Sequence, residues 1–311
     1  MGLDISFIQV LFGLKAQGVN FDQTVMLGQQ GFHVDLVSLQ KVFSQQKSLV
    51  NLPRAAEFLK SEKEGTERFI RALGSLSLDS IDISDFEGAT HIHDMNQPIP
   101  VDWKGKYTCL LDGGTLEHIF NFPQAIRNSM ELLKIGGSFI SVTTANNFLG
   151  HGFYQFSPEL FYRIFHPING FEVEWMLIRE LSVSGKWYEV VDPDQLQERV
   201  TLVNGRPTYL VIHARKIAER PLFLSTPQQS DYVRNWRDSL ATNVSKIENT
   251  PKSMMKWIPE IFKSFPRRIL FRIREIQRNH ITSLNKRHYY QRTDLEVILG
   301  KKSAEWRNNG K

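Results

Sequence analysis

The residues with the clearest chemical potential follow a short buried-strand pattern in the middle of the chain. The apolar run 107–111 ends in Asp112 and continues into Gly113 and Gly114. In parallel sheets, ligands bind to the loops at the carboxyl ends of the strands. A carboxylate followed by two glycines there combines a polar contact with a main chain that a ligand can approach closely. We therefore predict that residues 112–114 contact a ligand.

Two histidines and a tyrosine lie farther along, in positions suited to proton transfer. His118 follows the predicted strand by a few residues, and an imidazole with a pKa near neutrality is a suitable general base. His151 lies between Gly150 and Gly152, near Tyr154, and the glycines are expected to give this loop unusual backbone dihedrals. Functional residues concentrate on such loops. His118, His151 and Tyr154 are therefore candidate catalytic residues, although His118 would alternatively order its loop and Tyr154 would anchor its own.

Further polar and aromatic groups should lie at the same edge of the sheet. Glu117 precedes His118, and Asn146 and Asn147 follow the next predicted strand. These three residues are candidate substrate contacts. The neighbouring Phe153 would stack on a sugar or aromatic acceptor, or would instead pack the loop onto the protein.

A strand–helix–strand unit is expected to position these residues. Apolar residues at helical spacing predict a helix over residues 125–133, which Gly136 and Gly137 would end. The run 138–143 predicts the next strand. This order of elements is typical of one half of a nucleotide-binding α/β fold.

These residues resemble the second half of the class I S-adenosylmethionine-dependent methyltransferases. That family carries an acid after its fourth strand, a Glu-His pair soon afterwards and a Leu-Leu-Lys-x-Gly-Gly turn. This chain has Asp112, Glu117-His118 and residues 132–137 at these places, and residues 150–159 are similar to the signature of a poorly characterised bacterial subgroup. The resemblance implies an α/β, Rossmann-like fold: a seven-stranded, mostly parallel sheet with helices on both faces and an antiparallel hairpin at one edge. It also implies S-adenosylmethionine as the cofactor.

The resemblance identifies candidate cofactor contacts after the first predicted strand, residues 24–28. Gly28 is followed by Gln29 and Gln30, where the family normally has further glycines. Glycine matters there because a Cβ would obstruct the close approach of the main chain to the methionine part of the cofactor. We expect Gly28 and Gln29 to border the cofactor, and the missing glycines leave open a non-catalytic protein with the same fold.

Two later strand ends complete the cofactor site that the resemblance implies. Residues 80–84 predict the second strand, where Asp82, or alternatively Asp85, would bridge the ribose hydroxyls. After the third strand, Asp94 would face the adenine amino group and Met95 would pack on the ring. Asp82, Asp94 and Asp112 would then end three strands of one pocket, although each alone would also suit a helix N-cap.

One short pattern also suggests a metal site. In the sequence His91-Ile92-His93-Asp94, alternation would place both imidazoles on one face of a strand, and histidine with carboxylate suits zinc. No third histidine or cysteine follows nearby. We therefore predict no metal ion here.

The chain is expected to divide into a catalytic and a basic part. We predict a methyltransferase-like domain over residues 1–216, with a charged helical insertion at 43–76 and an inserted loop at 182–206. A basic helical extension would cover residues 217–311. The single cysteine, Cys109, lies in a predicted buried strand, which excludes an intramolecular disulfide and favours a reducing cytoplasm. Neither a secretion leader nor a membrane span is expected.

The end of the chain is strongly basic. Residues 251–311 hold 15 lysines and arginines against 5 acidic residues, whereas the whole chain carries a net charge of +5. Within residues 254–280, apolar residues recur at three- and four-residue intervals. Such a stretch would lie on an anionic membrane surface, hold a partner helix or pack on the catalytic domain. The basic stretch would also bind nucleic acid. However, the Asn-Pro-Pro-aromatic motif of base amino-methylating enzymes is missing after the fourth predicted strand.

Together these features predict a soluble, cytoplasmic enzyme that transfers a methyl group from S-adenosylmethionine to oxygen or nitrogen of a small-molecule or carbohydrate-type acceptor. Contact with the inner face of the membrane through residues 254–280 would accompany this role. The alternative is a non-catalytic protein that binds a partner or a membrane through its basic tail. A dinucleotide dehydrogenase is disfavoured because no Gly-x-Gly-x-x-Gly follows a predicted strand.

Overall fold

The computed structural model of the protein describes residues 2–45, 55–59, 61–181, 185–245 and 290–293. Its strands are β1 (Gly2–Leu3), β2 (Gln23–Leu27), β3 (Gly31–Phe32), β4 (Ser77–Asp82), β5 (His91–Ile92), β6 (Tyr107–Asp112), β7 (Leu133–Asn146), β8 (Phe171–Glu180), β9 (Trp187–Val190), β10 (Thr208–Lys216) and β11 (Tyr290–Thr293). Its α-helices are α1 (Ile5–Ala16), α2 (Leu36–Gln45), α3 (Glu62–Ala72), α4 (Phe122–Leu132), α5 (Pro158–Ile164), α6 (Pro193–Leu196) and α7 (Ser230–Ser245). Short 3-10 helices cover Ala55–Leu59, Val101–Trp103, Leu116–His118 and Pro167–Asn169.

The main sheet has the strand order β11-β9-β8-β10-β7-β6-β2-β4-β5. The five strands from β5 to β7 run parallel, whereas β10, β8, β9 and β11 pair antiparallel with their neighbours. The predicted parallel sheet and its late antiparallel strands are thus present. Nine strands are described where seven were predicted, because β9, inside the predicted inserted loop, and β11 extend the edge beyond β8.

The connections out of β2 create a switch point in this sheet. The chain continues from β2 to β4 on one side, while β6, the neighbour of β2 on the other side, comes later in the sequence. In open α/β sheets, ligands bind in the crevice outside the carboxyl ends of the strands where the order reverses. The ends of β2 and β6 are therefore where the fold itself predicts a ligand.

Helices cover both faces of the sheet, as predicted. Leu110 of β6 lies in a core with Ile126 of α4, whereas its neighbour Leu111 faces a second core with Phe12 of α1 and Phe69 of α3. This separation follows from the alternation of side chains along a strand. Burial of the intervening thiol raises the pKa of Cys109, so this cysteine is a packing residue as predicted.

The first helix has no counterpart among the sequence-based predictions. Asp4 caps α1 by accepting a hydrogen bond from Phe7 N at 2.9 Å. The following helix is buried on most sides, so it lacks the polar stripe that reveals an amphipathic helix. Before it, β1 pairs parallel with β3 as a separate two-stranded sheet. This pairing ties the first residues to the loop that follows β2.

The predicted helical insertion at 43–76 contributes α3 and the 3-10 helix Ala55–Leu59 to one layer over the sheet. Phe58 and Phe69 are buried there, and the ring of Phe69 lies 5.1 Å from that of Phe12. Of the predicted basic extension, the structure describes α7 and β11. The stretch 254–280 lies outside the described residues. In the part of the chain that the structure describes, no helix has the length and apolar character needed to cross a bilayer.

Candidate active site

Hydrogen bonds join the loops at the ends of β2 and β6. Thr115 Oγ1 donates to Leu27 O at 2.7 Å, and Thr115 N donates to Asp112 Oδ1 at 2.8 Å. Gly28 has φ +68°, and a Cβ on it would lie 2.8 Å from Thr115 Oγ1. Glycine is therefore required at position 28 both for its dihedral angle and for the close approach of the two loops.

The two glutamines after Gly28 have different roles. Gln29 Oε1 accepts a hydrogen bond from Ser80 Oγ on β4 at 3.0 Å. Gln30 is buried, and its Nε2 donates to Leu27 O and, at 3.2 Å, to Thr115 Oγ1. Its Oε1 is buried against Gly113 without a hydrogen-bond partner. We call the region around Gly28, Gln30, Asp82 and Gly113, at the carboxyl ends of β2, β4 and β6, the switch-point crevice.

This packing predicts an energetic coupling between Gly113 and Gln30. A Cβ on Gly113 would collide with Gln30 Oε1, so Gly113→Ala should cost about 1 to 3 kcal/mol of folding stability. The cost should fall by at least about 1 kcal/mol in a Gln30→Ala background, where the colliding amide is gone. Urea denaturation of the single and double variants measures this coupling. Gln29→Ala is the matched control, and equal relief by both glutamine variants would contradict the assigned contacts.

The other predicted cofactor residues lie at or near the ends of β4, β5 and β6. Asp82 ends β4, and a Cβ on Gly28 would lie 3.7 Å from its Oδ2. Hydrogen bonds from Asn96 N and Nδ2, at 2.9 and 2.7 Å, hold the pKa of Asp94 below its ordinary value. Met95 is a core residue, only 5% exposed. Gly114, after Gly113, has φ +94°.

The carboxylate of Asp112 points into the protein. Asp112 is fully buried and accepts hydrogen bonds from Ser141 Oγ at 2.7 Å, from Thr115 N at 2.8 Å and from Leu116 N at 3.3 Å. Burial raises its pKa. Because these three donors surround the carboxylate, Asp112 organises the loop after β6.

A second buried carboxylate lies close by. Glu117 is fully buried, and its Oε2 accepts a hydrogen bond from Thr143 Oγ1 at 2.8 Å. Burial, and to a smaller extent the charge of Asp112, raises the pKa of Glu117 to about 8. Ser141 and Thr143 are two residues apart on β7 and so face the same side of the sheet. One strand thus holds both carboxylates.

The two predicted histidines meet at Glu117. The rings of His118 and His151 have centroids 5.0 Å apart, and His151 Nε2 lies 4.0 Å from Glu117 Oε1. Burial lowers the pKa of both imidazoles, and for His118 the charge of His151 adds to the effect. We call these three residues the Glu-His-His cluster. Glu117 and His151 are 34 residues apart in sequence, and the loops after β6 and β7 bring them together.

The glycines beside His151 serve a different purpose from the one predicted. Neither Gly150 nor Gly152 has a positive φ. A Cβ on Gly152 would instead lie 2.9 Å from Glu117 O, and this carbonyl accepts hydrogen bonds from Phe153 N at 2.9 Å and Tyr154 N at 3.2 Å. Gly152 is therefore needed for close docking of the His151 loop on Glu117.

The remaining predicted site residues hold loops in place. Tyr154 Oη donates to Phe120 O at 2.6 Å, which is the anchoring role that the sequence left open. Asn146 Nδ2 donates to Asn204 Oδ1 at 2.8 Å, and Asn147 Nδ2 donates to Asn204 O at 3.0 Å. These amides secure the loop before β10 beside the site.

The histidine pair considered for a metal lies elsewhere. His91 Nε2 is 3.4 Å from Asp79 Oδ2, and the rings of His91 and His93 lie 4.7 and 5.5 Å from that of Trp103. Asp94, the predicted carboxylate partner, is hydrogen-bonded to Asn96 instead. The pair therefore packs on a tryptophan.

Comparisons with known proteins find likeness at the level of structure. No family model matches the chain, and no curated protein matches it either. The trans-methyltransferase CalH, in a complex with SAH, aligns with 68% of this chain at 12% identity and a TM-score of 0.35; this chain spans 55% of CalH. A Bacillus halodurans methyltransferase aligns with 67% of this chain, covering 99% of its own length, at 11% identity and a TM-score of 0.34. An S-adenosylmethionine-dependent methyltransferase of Listeria monocytogenes aligns with 68% of this chain, again over 99% of its own length, at 16% identity and a TM-score of 0.36.

Because these scores are low, the fold assignment depends on the sheet itself. Five parallel strands with a switch point at β2 and β6 are followed by β10, which lies antiparallel between β7 and β8. The chain has a Rossmann-like α/β fold with the late antiparallel strands that the sequence resemblance implies. The sequence analysis did not identify four residues of the site: Gln30, Thr115, Ser141 and Thr143. Polar residues inside or beside strands give no sequence pattern that separates them from ordinary surface or core positions.

Proposed function

We propose that this chain transfers a methyl group from S-adenosylmethionine to oxygen or nitrogen of a small-molecule or carbohydrate-type acceptor. The observation that carries the proposal is the arrangement of the switch-point crevice and the Glu-His-His cluster along one edge of the sheet. Ser141 and Thr143 of β7 hold Asp112, which directly precedes Gly113 of the crevice, and Glu117 of the cluster. The proposed ligand site and a proton-accepting group would therefore be neighbours.

The residues of the crevice fit such a cofactor. Gly28 and Gly113 lack a Cβ where they pack against Thr115 and Gln30, and Gln30 Oε1 is a buried acceptor without a partner, which would suit an ammonium group. Asp82, at the end of the neighbouring strand, would accept hydrogen bonds from ribose hydroxyls. The bound cofactor would supply an electrophilic methyl group on its sulfonium sulfur.

The Glu-His-His cluster supports the acceptor side of the proposal. An imidazole nitrogen there can hold an acceptor hydroxyl or amine and accept its proton as the new bond forms. Beside the cluster, Phe120 and Phe153 are 74% and 68% exposed with ring centroids 5.9 Å apart. Exposed aromatic pairs of this kind offer a stacking surface for the apolar face of a sugar. Positioning of acceptor and cofactor would supply much of the rate.

Calorimetric titration with S-adenosylmethionine and S-adenosylhomocysteine tests the proposed function. We expect micromolar binding by the full chain, weakened about 10- to 100-fold by Asp82→Ala, because a hydrogen bond to a charged group contributes about 1.5 to 3 kcal/mol. Glu87→Ala, which removes an exposed acid farther along the same loop, is the control and should bind as tightly as the unchanged protein. A folded protein that binds neither ligand would refute the proposed function and favour the non-catalytic alternative.

A further inference from the structure

The Glu-His-His cluster has the donor set and spacing of a metal site. Glu117, His118 and His151 each offer one ligand atom, and these three atoms all lie within 4.8 Å of one another. Two atoms bound to one tetrahedral metal ion at about 2.1 Å lie about 3.4 Å apart. The distance between Glu117 Oε1 and His151 Nε2 is 4.0 Å, which a small side-chain movement brings to this value. His118 is exposed, so rotation of its side chain can bring its nitrogen closer.

The two facing atoms lack any other partner. Glu117 Oε1 and His151 Nε2 are both buried and neither makes a hydrogen bond. Their separation of 4.0 Å is too long for a hydrogen bond between them. A buried carboxylate is costly unless it is paired. Within the part of the chain that the structure describes, no lysine or arginine forms an ion pair with Glu117 or Asp112.

We propose that Glu117, His118 and His151 bind one divalent transition-metal ion. Two imidazoles with one carboxylate suit Zn²⁺, Mn²⁺ or Fe²⁺, whereas Mg²⁺ and Ca²⁺ prefer oxygen ligands alone. Three protein ligands leave at least one coordination position open, which is characteristic of catalytic rather than structural metal sites.

The surroundings of the cluster hold its ligands in fixed positions. Thr143 Oγ1 orients the Glu117 carboxylate through Oε2 and leaves Oε1 directed at His151. The backbone hydrogen bonds from Phe153 and Tyr154 to Glu117 O fix the loop that carries His151. Such outer contacts typically change metal affinity 10- to 100-fold when they are removed.

The metal ion would activate the acceptor for methyl transfer, and this role rests on the proposed function. An acceptor hydroxyl in the open position would be polarised and would lose its proton to solvent water. Its oxygen would then form a bond to the methyl carbon as the bond from that carbon to the sulfonium sulfur breaks. The metal would then perform the activation that an imidazole base performs in its absence. It would also favour hydroxyl-bearing over apolar acceptors, because a hydroxyl oxygen can enter the coordination sphere.

Metal titration of the full chain tests this site without an acceptor. After treatment with EDTA and its removal, the protein is titrated with Zn²⁺ by calorimetry and with Co²⁺ by visible absorption. We expect one equivalent to bind, with affinity reduced more than about 10-fold in His151→Ala, in His118→Ala and in Glu117→Gln. Thr143→Val should reduce affinity by about 10-fold through the outer contact.

The matched control is His93→Ala, which removes a histidine from the pair of His91 and His93. It should leave metal affinity unchanged. Equal affinity in the unchanged protein, His151→Ala and His118→Ala would overturn the proposal, as would loss of binding in His93→Ala alone. Both histidines of the cluster lie outside the core, so their variants keep the test valid if Glu117→Gln does not fold. Titration of the EDTA-treated protein with S-adenosylhomocysteine separates failure of the metal site from failure of the proposed function.

Discussion

Asp112→Ala should destabilise the folded protein by roughly 3 kcal/mol or more, since each buried donor that loses its acceptor costs about 1 to 3 kcal/mol. The variant leaves three donors without their acceptor: Ser141 Oγ, Thr115 N and Leu116 N. A cavity in place of the carboxylate adds to the loss. Urea denaturation followed by circular dichroism measures the change.

Asp112→Asn is the control for this experiment. Its Oδ1 can still accept from the two main-chain donors, and its Nδ2 can donate to Ser141 Oγ, so the cost should be about 1 kcal/mol or less. If both variants were equally stable, the carboxylate would not organise the loop, and the direct cofactor contact predicted from the sequence would become the better account of Asp112.

The pH dependence of stability should identify Glu117 as a buried carboxyl group. Its pKa in the folded protein is raised to about 8, whereas the ordinary value is 4.5. Between these values the folded state keeps a proton that the unfolded state has lost, so stability is fully present below about pH 4.5 and decreases as pH rises toward 8. The slope is at most about 1.4 kcal/mol per pH unit. The raised pKa of Asp112 acts in the same direction.

Thermal unfolding of the chelator-treated protein between pH 5 and pH 8.5 measures this effect, in buffers of equal ionic strength. In Glu117→Gln, whose amide carries no titrating proton, the decrease should be much smaller. Glu57→Gln, which removes a partly exposed carboxyl group on the 3-10 helix Ala55–Leu59, should retain the full decrease. A slope that is the same in all three proteins would show that Glu117 is ionised in the folded state throughout this range.

The central strands of the parallel sheet, β2, β6 and β7, were predictable because most of their residues are buried. The run that became β6 is apolar up to its final aspartate, and all six of its residues are buried. Such a run needs little context to be recognised. By contrast, α1 escaped prediction because it is buried on most sides, and β9 because a strand of four residues beside a polar loop has a weak pattern.

The candidate site was predictable in its position along the sheet, and less so in the roles of its residues. Asp82 and Asp112 were placed at strand ends, which is where they lie. Tyr154 was predicted as a catalytic residue and Asn147 as a substrate contact, and the hydrogen bonds described for both hold loops. A side chain that reaches a main-chain carbonyl 34 residues away cannot be recognised from local spacing.

The sequence by itself determined which residues follow the parallel strands, because alternation and burial are local properties of the chain. It therefore predicted the fold and the edge of the sheet where ligands would bind. Only the tertiary structure decided that Gln30 faces the crevice while Gln29 bonds to β4, and that Glu117 and His151 lie opposite each other. These contacts form where loops from different strands meet in space. The hydrogen-bond partner of each buried group there comes from a distant part of the chain, so neighbouring residues in the sequence do not reveal it.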